Sequence, residues 1–232
     1  MKYKIPILIR IFRPFLAFFF RLLFRFLSRV RINGNENIPS SGGYIIAINH
    51  VSLFDPPFVI AFWPRIPEGI GAAEIWKKSG QSVLARLYGG IPVHRGQYDR
   101  RPLKLVIAAL RSGRPVVIAP EGTRSHHPGM QQGMPGVAFV LDQCDVPVVP
   151  VGIVGTTEDF FSKGIHGNRP VIEMRIGKPL QPAQLVEKGD DRRLVRQLKV
   201  DRIMYAIAEL LPEEYRGFYS KKAGNLEVSG AD

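Results

Sequence analysis

Between residues 5 and 27 the chain alternates clusters of large apolar side chains with single arginines. At ~100° per residue, a helical projection places five arginines within an arc of roughly 160°, namely Arg10, Arg13, Arg21, Arg25 and Arg29. The opposite side of the projection carries Phe15, Phe19, Leu22, Leu23 and Phe26. The pattern therefore predicts an amphipathic helix, and Pro14 is expected to kink or divide it.

The arginines decide which environment suits this helix. A membrane span needs ~20 mainly apolar residues, and each arginine near its centre costs ~2.5–3.5 kcal/mol. No compact apolar region ending in small residues indicates a signal peptide either. A helix with Arg on one side and Phe and Leu on the other is typical of the membrane interface, where guanidinium groups bind lipid phosphates. The alternative is a helix packed on the protein's own core.

After residue 31 short apolar segments alternate with helical patterns. The strand candidates are 44–48, 91–93, 116–119, 146–153 and 171–176, and the helix candidates are 55–63, 82–87, 103–112, 133–143 and 191–211. This alternation predicts an α/β fold with a largely parallel central sheet flanked by helices. We expect residues 1–30 to form the interfacial segment, 31–218 the α/β domain and 219–232 a disordered tail.

Charge and composition narrow the functional classes. The formal net charge of +12 favours an anionic partner, with a plain solubility bias as the alternative. No nucleic-acid-binding motif is present, so a membrane surface is the better partner. The single cysteine, Cys144, excludes a disulfide within the chain, and no CxxC or HExxH spacing supports a zinc site.

A histidine and an aspartate follow the first strand candidate. His50 stands at the carboxyl end of this strand, where α/β folds bind ligands, and Asp55 lies five residues later. If Asp55 is the N-cap of a helix with Pro56 at its first position, the intervening turn brings the carboxylate back to the imidazole. Such a pair suits a general base. Alternatively, Asp55 only caps the helix and His50 packs at the strand end.

Three later segments also place polar or restricted residues near strand candidates. Arg95 follows 91–93 and offers a bidentate phosphate contact, or else belongs to a solvated basic turn. Glu121 follows 116–119 and either accepts a hydrogen bond from a substrate hydroxyl or holds a nearby arginine. Pro150 lies in an apolar segment, which suits either the wall of an acyl-chain binding site or an ordinary core strand.

Together these segments resemble the four ordered motifs of the glycerolipid acyltransferase family, and in particular its 1-acyl-sn-glycerol-3-phosphate (lysophosphatidic acid) acyltransferases. The matching segments are NHVSLFDP at 49–56, GGIPVHRG at 89–96, APEGTRS at 119–125 and VPVVPVGI at 146–153. The lead-in NGNENIP at 33–39 is similar as well, so the resemblance covers about residues 31–180. Gln131 and Gln132 depart from it, because basic residues often stand there.

The resemblance implies a role for each residue of the motifs. His50 is implied as the general base and Asp55 as its orienting partner. Arg95 is implied to bind the acceptor phosphate, and Pro150 to lie near the acyl donor. The remaining implied contacts, to the glycerol-phosphate part, come from Glu121, Gly122, Thr123 and Arg124.

The implied reaction moves a fatty acyl group from acyl-CoA or acyl carrier protein to the sn-2 hydroxyl of 1-acyl-sn-glycerol-3-phosphate, giving phosphatidic acid. The family needs no metal and no further cofactor. Another lysophospholipid or glycerol 3-phosphate is an alternative acceptor, and a non-catalytic basic membrane-binding module is a weaker alternative. The implied location is the cytoplasmic face of the cell membrane, bound peripherally or monotopically through the N-terminal segment.

Overall fold

A seven-stranded sheet organises the part of the chain that the structure describes. The computed structural model describes residues 3–94, 100–125, 127, 129–185 and 189–220. The strands are β1 (Arg29–Asn33), β2 (Ile45–Ile48), β3 (Glu68–Ala72), β4 (Ile91–Val93), β5 (Val116–Ile118), β6 (Val148–Val154) and β7 (Val171–Ile176). Their order is β1-β7-β6-β2-β5-β3-β4. Every pairing is parallel except β6 with β7, so the predicted largely parallel α/β sheet is confirmed.

Helices connect these strands and cover the sheet. They are α1 (Ile7–Leu27), α2 (Asp55–Phe62), α3 (Gln81–Tyr88), α4 (Arg100–Arg111), α5 (Gly136–Leu141), α6 (Phe160–Ile165), α7 (Arg192–Ala208) and α8 (Glu213–Arg216). The five helix candidates of the body correspond to α2, α3, α4, α5 and α7. The short helix α6 was not predicted from the sequence.

The central strands are buried on both faces. Along β2, Ile45 and Ala47 pack into one apolar cluster, whereas Ile46 and Ile48 pack into another on the opposite face. The first cluster takes side chains from α4, α5 and α7, and the second takes them from α1, α2 and α6. This two-sided burial is why these strands read as continuous apolar runs.

Two strands carry weaker sequence signals. β1 alternates exposed and half-buried residues, and its two arginines, Arg29 and Arg31, are exposed. β3 contains Gly69 and Gly71, and glycine is depleted in strand interiors. Both lie outside the central β2, β5 and β6, where the apolar pattern is strongest. Since β1 begins at Arg29, the sheet starts inside the segment expected to precede the domain.

The N-terminal segment forms one helix that packs on the body. Pro14 lies inside α1 without dividing it, and the carbonyl left unpaired by its missing N–H belongs to the exposed Arg10. One face of α1 is buried, and Phe24 of that face contacts the rings of Phe58 and Phe160 at centroid distances of 5.2 and 5.7 Å. Packing on the core, the alternative left open above, therefore applies to this face.

One arginine of α1 does not face outward. Arg13 is buried and donates to the Glu68 carboxylate from both terminal nitrogens, at 2.8 and 2.7 Å. Its Nε donates to the carbonyl of Tyr88 at 2.7 Å. The expectation that Arg13 belongs to a lipid-facing set is therefore wrong, because its charge is neutralised inside the protein.

The opposite face of α1 exposes large apolar side chains, including those of Phe15, Phe19, Leu22 and Phe26. Within the described ranges, no helix combines the length and apolar character needed to cross a membrane.

At the C-terminal end of the body, Tyr219 is buried and donates to Asp201 at 2.6 Å. The tail was expected at 219–232, but Tyr219 belongs to the packed body, and residues 221–232 lie outside the described residues.

Candidate active site

The carboxyl ends of three neighbouring parallel strands meet at one edge of the sheet. β2 lies between β5 and β6, and the chain leaves these strands at Asn49, Ala119 and Gly155. This geometry brings the 49–54 loop close to the loops after β5 and β6. It is the edge at which α/β folds bind ligands.

His50 and Asp55 are in direct contact at this edge. His50 Nδ1 lies 2.9 Å from Asp55 Oδ2, and the His50 side chain is 15% exposed whereas that of Asp55 is fully buried. A carboxylate only accepts hydrogen bonds, so Nδ1 is the donor and Nε2 keeps the free lone pair. The contact between imidazole and carboxylate that was expected from the five-residue spacing is therefore present in the structure.

The turn that closes this pair differs from the expected one. Asp55 is the first residue of α2 rather than its N-cap, which is Phe54. The carboxylate points back along the chain, and Oδ2 accepts the backbone N–H groups of Val51 and Ser52, each at 2.8 Å. Asp55 therefore organises the loop before the helix, and the loop in turn holds His50 against it.

Asn49 fastens the same loop to β6. Its side chain donates to the carbonyl of Ile153 at 2.9 Å and accepts the Ile153 N–H at 2.7 Å. This paired contact imitates a strand ladder at the point where β2 ends. The contacts of Asn49 on one side and of Asp55 on the other therefore fix the backbone position of His50.

Glu121 supports His50 from the other side. One carboxylate oxygen accepts the N–H of His50 at 2.7 Å, and the other accepts the N–H of Gln131 at 2.8 Å. The Ser125 N–H donates to the His50 carbonyl at 2.8 Å. In this structure Glu121 thus binds backbone, rather than holding an arginine as one sequence alternative had it.

Burial dominates the electrostatics of Glu121. Desolvation raises the pKa of this carboxyl to about 7, although the two backbone N–H groups and the nearby His50 act in the opposite direction. Glu121 is 3% exposed. A carboxyl that titrates near neutrality beside His50 makes this loop sensitive to pH.

A cavity of about 580 Å³ opens beside His50. Most of its wall is apolar and comes from β3, β4, α4, β5 and α5, for example Ile70, Val93, Leu103, Ile118 and Val140. Near His50 the wall is formed by Gly122, Thr123 and Arg124, and Lys78 and Gln81 also line it. The cavity beside His50 thus joins an apolar region to polar and charged groups, which include Arg124, Lys78 and the acidic Glu74.

The structure brings together most of the predicted site residues. His50, Gly122, Thr123 and Arg124 line the cavity, and Asp55 and Glu121 lie directly behind them. Pro150 instead lies within β6, where its carbonyl accepts the N–H of Gly177 at 2.9 Å, and it does not line this cavity. Arg95 lies outside the described residues.

Two supporting residues were missed in the sequence. Thr156 donates its hydroxyl to Asp55 Oδ1 at 2.5 Å. Gln131 donates its backbone N–H to Glu121 and its side-chain amide to the Arg124 carbonyl at 3.0 Å. The only hint was their position, since Thr156 follows a strand candidate and Gln131 departs from the family pattern.

Comparison with known proteins places the chain in a family. The family model described as Acyltransferase matches residues 29–154. The 1-acyl-sn-glycerol-3-phosphate acyltransferase of Bacillus subtilis (strain 168) is 23% identical over 171 residues, which cover 71% of this chain and 80% of that protein. The Homo sapiens 1-acyl-sn-glycerol-3-phosphate acyltransferase alpha is 26% identical over 138 residues, or 58% of this chain and 48% of that protein. The chain therefore spans about half the length of the human relative.

A solved structure extends the similarity to the fold. The crystal structure of the 1-acyl-sn-glycerophosphate (LPA) acyltransferase PlsC from Thermotoga maritima matches with a TM-score of 0.64 and 25% identity, covering 85% of this chain and 79% of that one. The family match spans more than half of the 232 residues and contains His50, Asp55 and Glu121. The chain therefore belongs to the Acyltransferase family and is an acyltransferase.

Proposed function

We propose that this enzyme transfers a fatty acyl group from an acyl thioester, acyl-CoA or acyl carrier protein, to the sn-2 hydroxyl of 1-acyl-sn-glycerol-3-phosphate, forming phosphatidic acid. The observation that carries the proposal is the contact of 2.9 Å between His50 Nδ1 and Asp55 Oδ2 at the wall of the cavity. The names of the Bacillus subtilis and Thermotoga maritima relatives support the choice of acceptor.

In the proposed mechanism His50 is the general base. Its Nε2 takes the proton from the acceptor hydroxyl while the oxygen attacks the thioester carbonyl. The C–O bond forms, the tetrahedral oxyanion is stabilised by backbone N–H groups of the surrounding loops, and the C–S bond then breaks. The thiolate of the donor leaves with the proton from His50, which restores the neutral imidazole. Asp55 orients the ring and stabilises its charged form.

The cavity suits both substrates of this reaction. Its apolar wall, formed by residues such as Val106, Ile118 and Val140, is suited to a fatty acyl chain. Arg124 and Lys78 supply positive charge for a phosphate group at the polar part of the wall. The role of Arg95 as a further phosphate ligand rests on its motif alone. General-base catalysis contributes about 10²–10⁴-fold, so positioning within this cavity supplies a large share of the rest.

We further propose that α1 holds the enzyme on an anionic membrane surface at the cytoplasmic face of the cell membrane. Leu8, Phe15 and Phe26 of α1 are 77%, 68% and 77% exposed, far more than a soluble helix needs. The neighbouring α3 exposes Val83, Leu84 and Leu87. Exposed cations border these apolar residues, namely Arg10, Arg25, Lys77, Lys78 and Arg86. An apolar surface with a basic border is suited to lipid bearing negative charge.

An assay with labelled acyl-CoA and lysophosphatidate tests the catalytic proposal. We expect His50→Ala to lose at least 100-fold in kcat while still folding and binding vesicles. His166→Ala is the matched control, because His166 is exposed at the end of α6, and it should keep full activity. Near-normal turnover by His50→Ala would sink the assignment.

The same assay separates the alternatives. Omitting the acceptor distinguishes transfer from hydrolysis of the thioester, since a hydrolase releases free fatty acid at the same rate without it. A panel with glycerol 3-phosphate and other lysophospholipids identifies the acceptor. A preference for any of these over lysophosphatidate would replace the proposed acceptor but keep the His–Asp chemistry.

A further inference from the structure

The turn after β6 places a buried hydroxyl beside Asp55, which follows the 49–54 loop. Gly155 turns the chain with φ of +86°, a conformation that residues with a Cβ adopt at a cost. Its N–H donates to the hydroxyl of Tyr215 at 3.1 Å. The next residue, Thr156, is 0% exposed, so its hydroxyl can interact only with protein groups. The Gly155 conformation and the contact with Tyr215 therefore hold the turn that carries Thr156.

The partner of the Thr156 hydroxyl is Oδ1 of Asp55. Oδ2 already receives three donors, from His50 Nδ1 and from the N–H groups of Val51 and Ser52. Oδ1 receives the Thr156 hydroxyl at 2.5 Å, whereas the Ser52 hydroxyl reaches it only at 3.5 Å. A buried carboxylate oxygen without a hydrogen-bond donor costs free energy. The carboxylate then rotates, or another donor moves towards it, to restore the hydrogen bond. Thr156 therefore holds the carboxylate of Asp55 at the oxygen that the imidazole and the loop N–H groups do not bind.

We propose that Thr156 is a positioning residue for acyl transfer, acting through Asp55 on His50. The inference rests on the proposed general-base role of the His50–Asp55 pair. With Oδ1 bound to Thr156, the carboxylate plane is fixed and Oδ2 stays in line with Nδ1. The imidazole is then held with Nε2 towards the cavity. Thr156 does not touch the substrate, so its loss affects turnover and leaves substrate binding intact.

Thr156→Val tests this role, because it keeps the shape of the side chain and removes the hydroxyl. We expect kcat to fall by about 10- to 100-fold with KM for lysophosphatidate and acyl-CoA within about twofold, since a small displacement of a catalytic group has effects of this size. Thr156→Ser restores the hydroxyl and should recover most of the lost kcat. Thr157→Val is the matched control, because the Thr157 hydroxyl donates to Asp159 and not to the pair.

The outcomes separate this inference from the one beneath it. If His50→Ala is inactive while Thr156→Val retains kcat within twofold, the positioning role is overturned and the general base stands. If His50→Ala is active, the proposed function fails first. Should Thr156→Val not fold, Ser and Cys at this position decide the matter, because a thiol is a much weaker donor. We then expect kcat to be clearly lower with Cys, and equal activities would overturn the role.

Discussion

Glu68 lies at the centre of a buried charge cluster that joins α1 to the sheet. Its carboxylate is fully buried and accepts two hydrogen bonds from Arg13, at 2.8 and 2.7 Å, and one from the Tyr3 hydroxyl at 2.5 Å. Arg114, which is half-buried, donates to it as well. Replacing Glu68 with Gln keeps the shape of the side chain but leaves the Arg13 charge without a counterion in a site that is 2% exposed.

The magnitude follows from the burial of Arg13. Removing one partner of a buried ion pair costs about 3–5 kcal/mol, because the remaining charge is desolvated without compensation. Whole domains have unfolding free energies of only about 5–15 kcal/mol. With a urea m-value near 2 kcal/mol/M, Glu68→Gln should lower the unfolding midpoint by roughly 1.5–2.5 M.

Urea unfolding followed by circular dichroism measures this effect. The double variant Arg13→Met with Glu68→Met removes both charges, so we expect it to recover to within about 1–2 kcal/mol of the wild type. Arg10→Ala is the control on the same helix, and as an exposed residue it should change stability by less than about 0.5 kcal/mol. If the double variant is as unstable as Glu68→Gln, an unpaired buried charge is not the cause.

The same pair predicts a dependence on pH. Burial raises the pKa of Glu68, but the hydrogen bonds and charge of Arg13, with help from Tyr3 and Arg114, outweigh burial and lower the pKa overall. A lowered carboxyl pKa contributes stability that is complete above the unfolded value of about 4.3 and is lost as the pH falls through the folded value. The difference between wild type and Glu68→Gln should therefore shrink in acid.

Two further predictions concern the site and the surface. Burial raises the folded pKa of Glu121 to about 7, so the stability of the wild type relative to Glu121→Gln should fall by up to ~3 kcal/mol as the pH rises from about 4.3 to 7. Urea titrations across this range check the effect, and a constant difference would contradict it. Phe15→Asp with Phe19→Asp should abolish sedimentation with phosphatidylglycerol vesicles, whereas Phe218→Asp, at a side chain 59% exposed elsewhere on the body, should not. Equal binding by both variants would remove α1 from the membrane contact.

The apolar pattern predicted five of the seven strands in the described part of the chain, namely β2, β4, β5, β6 and β7. β2, β5 and β6 lie in the middle of the sheet, and each was recognised as a short apolar run. β1 and β3 were missed because their patterns are diluted, by arginine in one and by glycine in the other. The edge strand β4 was predicted while its inner neighbour β3 was missed, so residue composition, rather than position in the sheet, separated the predicted strands from the missed ones.

The arginines of α1 show a different limit of sequence reasoning. A helical projection gives the angle of each side chain but not what lies opposite it. Arg13 and Arg10 fall on the same predicted side, yet Arg13 is only 2% exposed. It is buried because it binds the carboxylate of Glu68, which lies 55 residues away along the chain. A buried arginine and a lipid-facing arginine look alike until the partner is placed.

The candidate site shows the same division, between contacts that are local in the chain and contacts set by strand order. His50 and Asp55 are five residues apart, so a turn suffices to pair them, and spacing alone indicated the contact. The supports come from much farther away: Glu121 is 71 residues from His50, and Thr156 is 101 residues from Asp55. Both follow the strands that flank β2, and once the order β5-β2-β6 is known, their approach to the His50 loop is a geometric consequence. The fourth motif, at 146–153, lies largely in β6, and Thr156 follows that strand. Pro150 lies inside that strand, between two covered faces, whereas Thr156 lies past its carboxyl end, where its hydroxyl reaches Asp55.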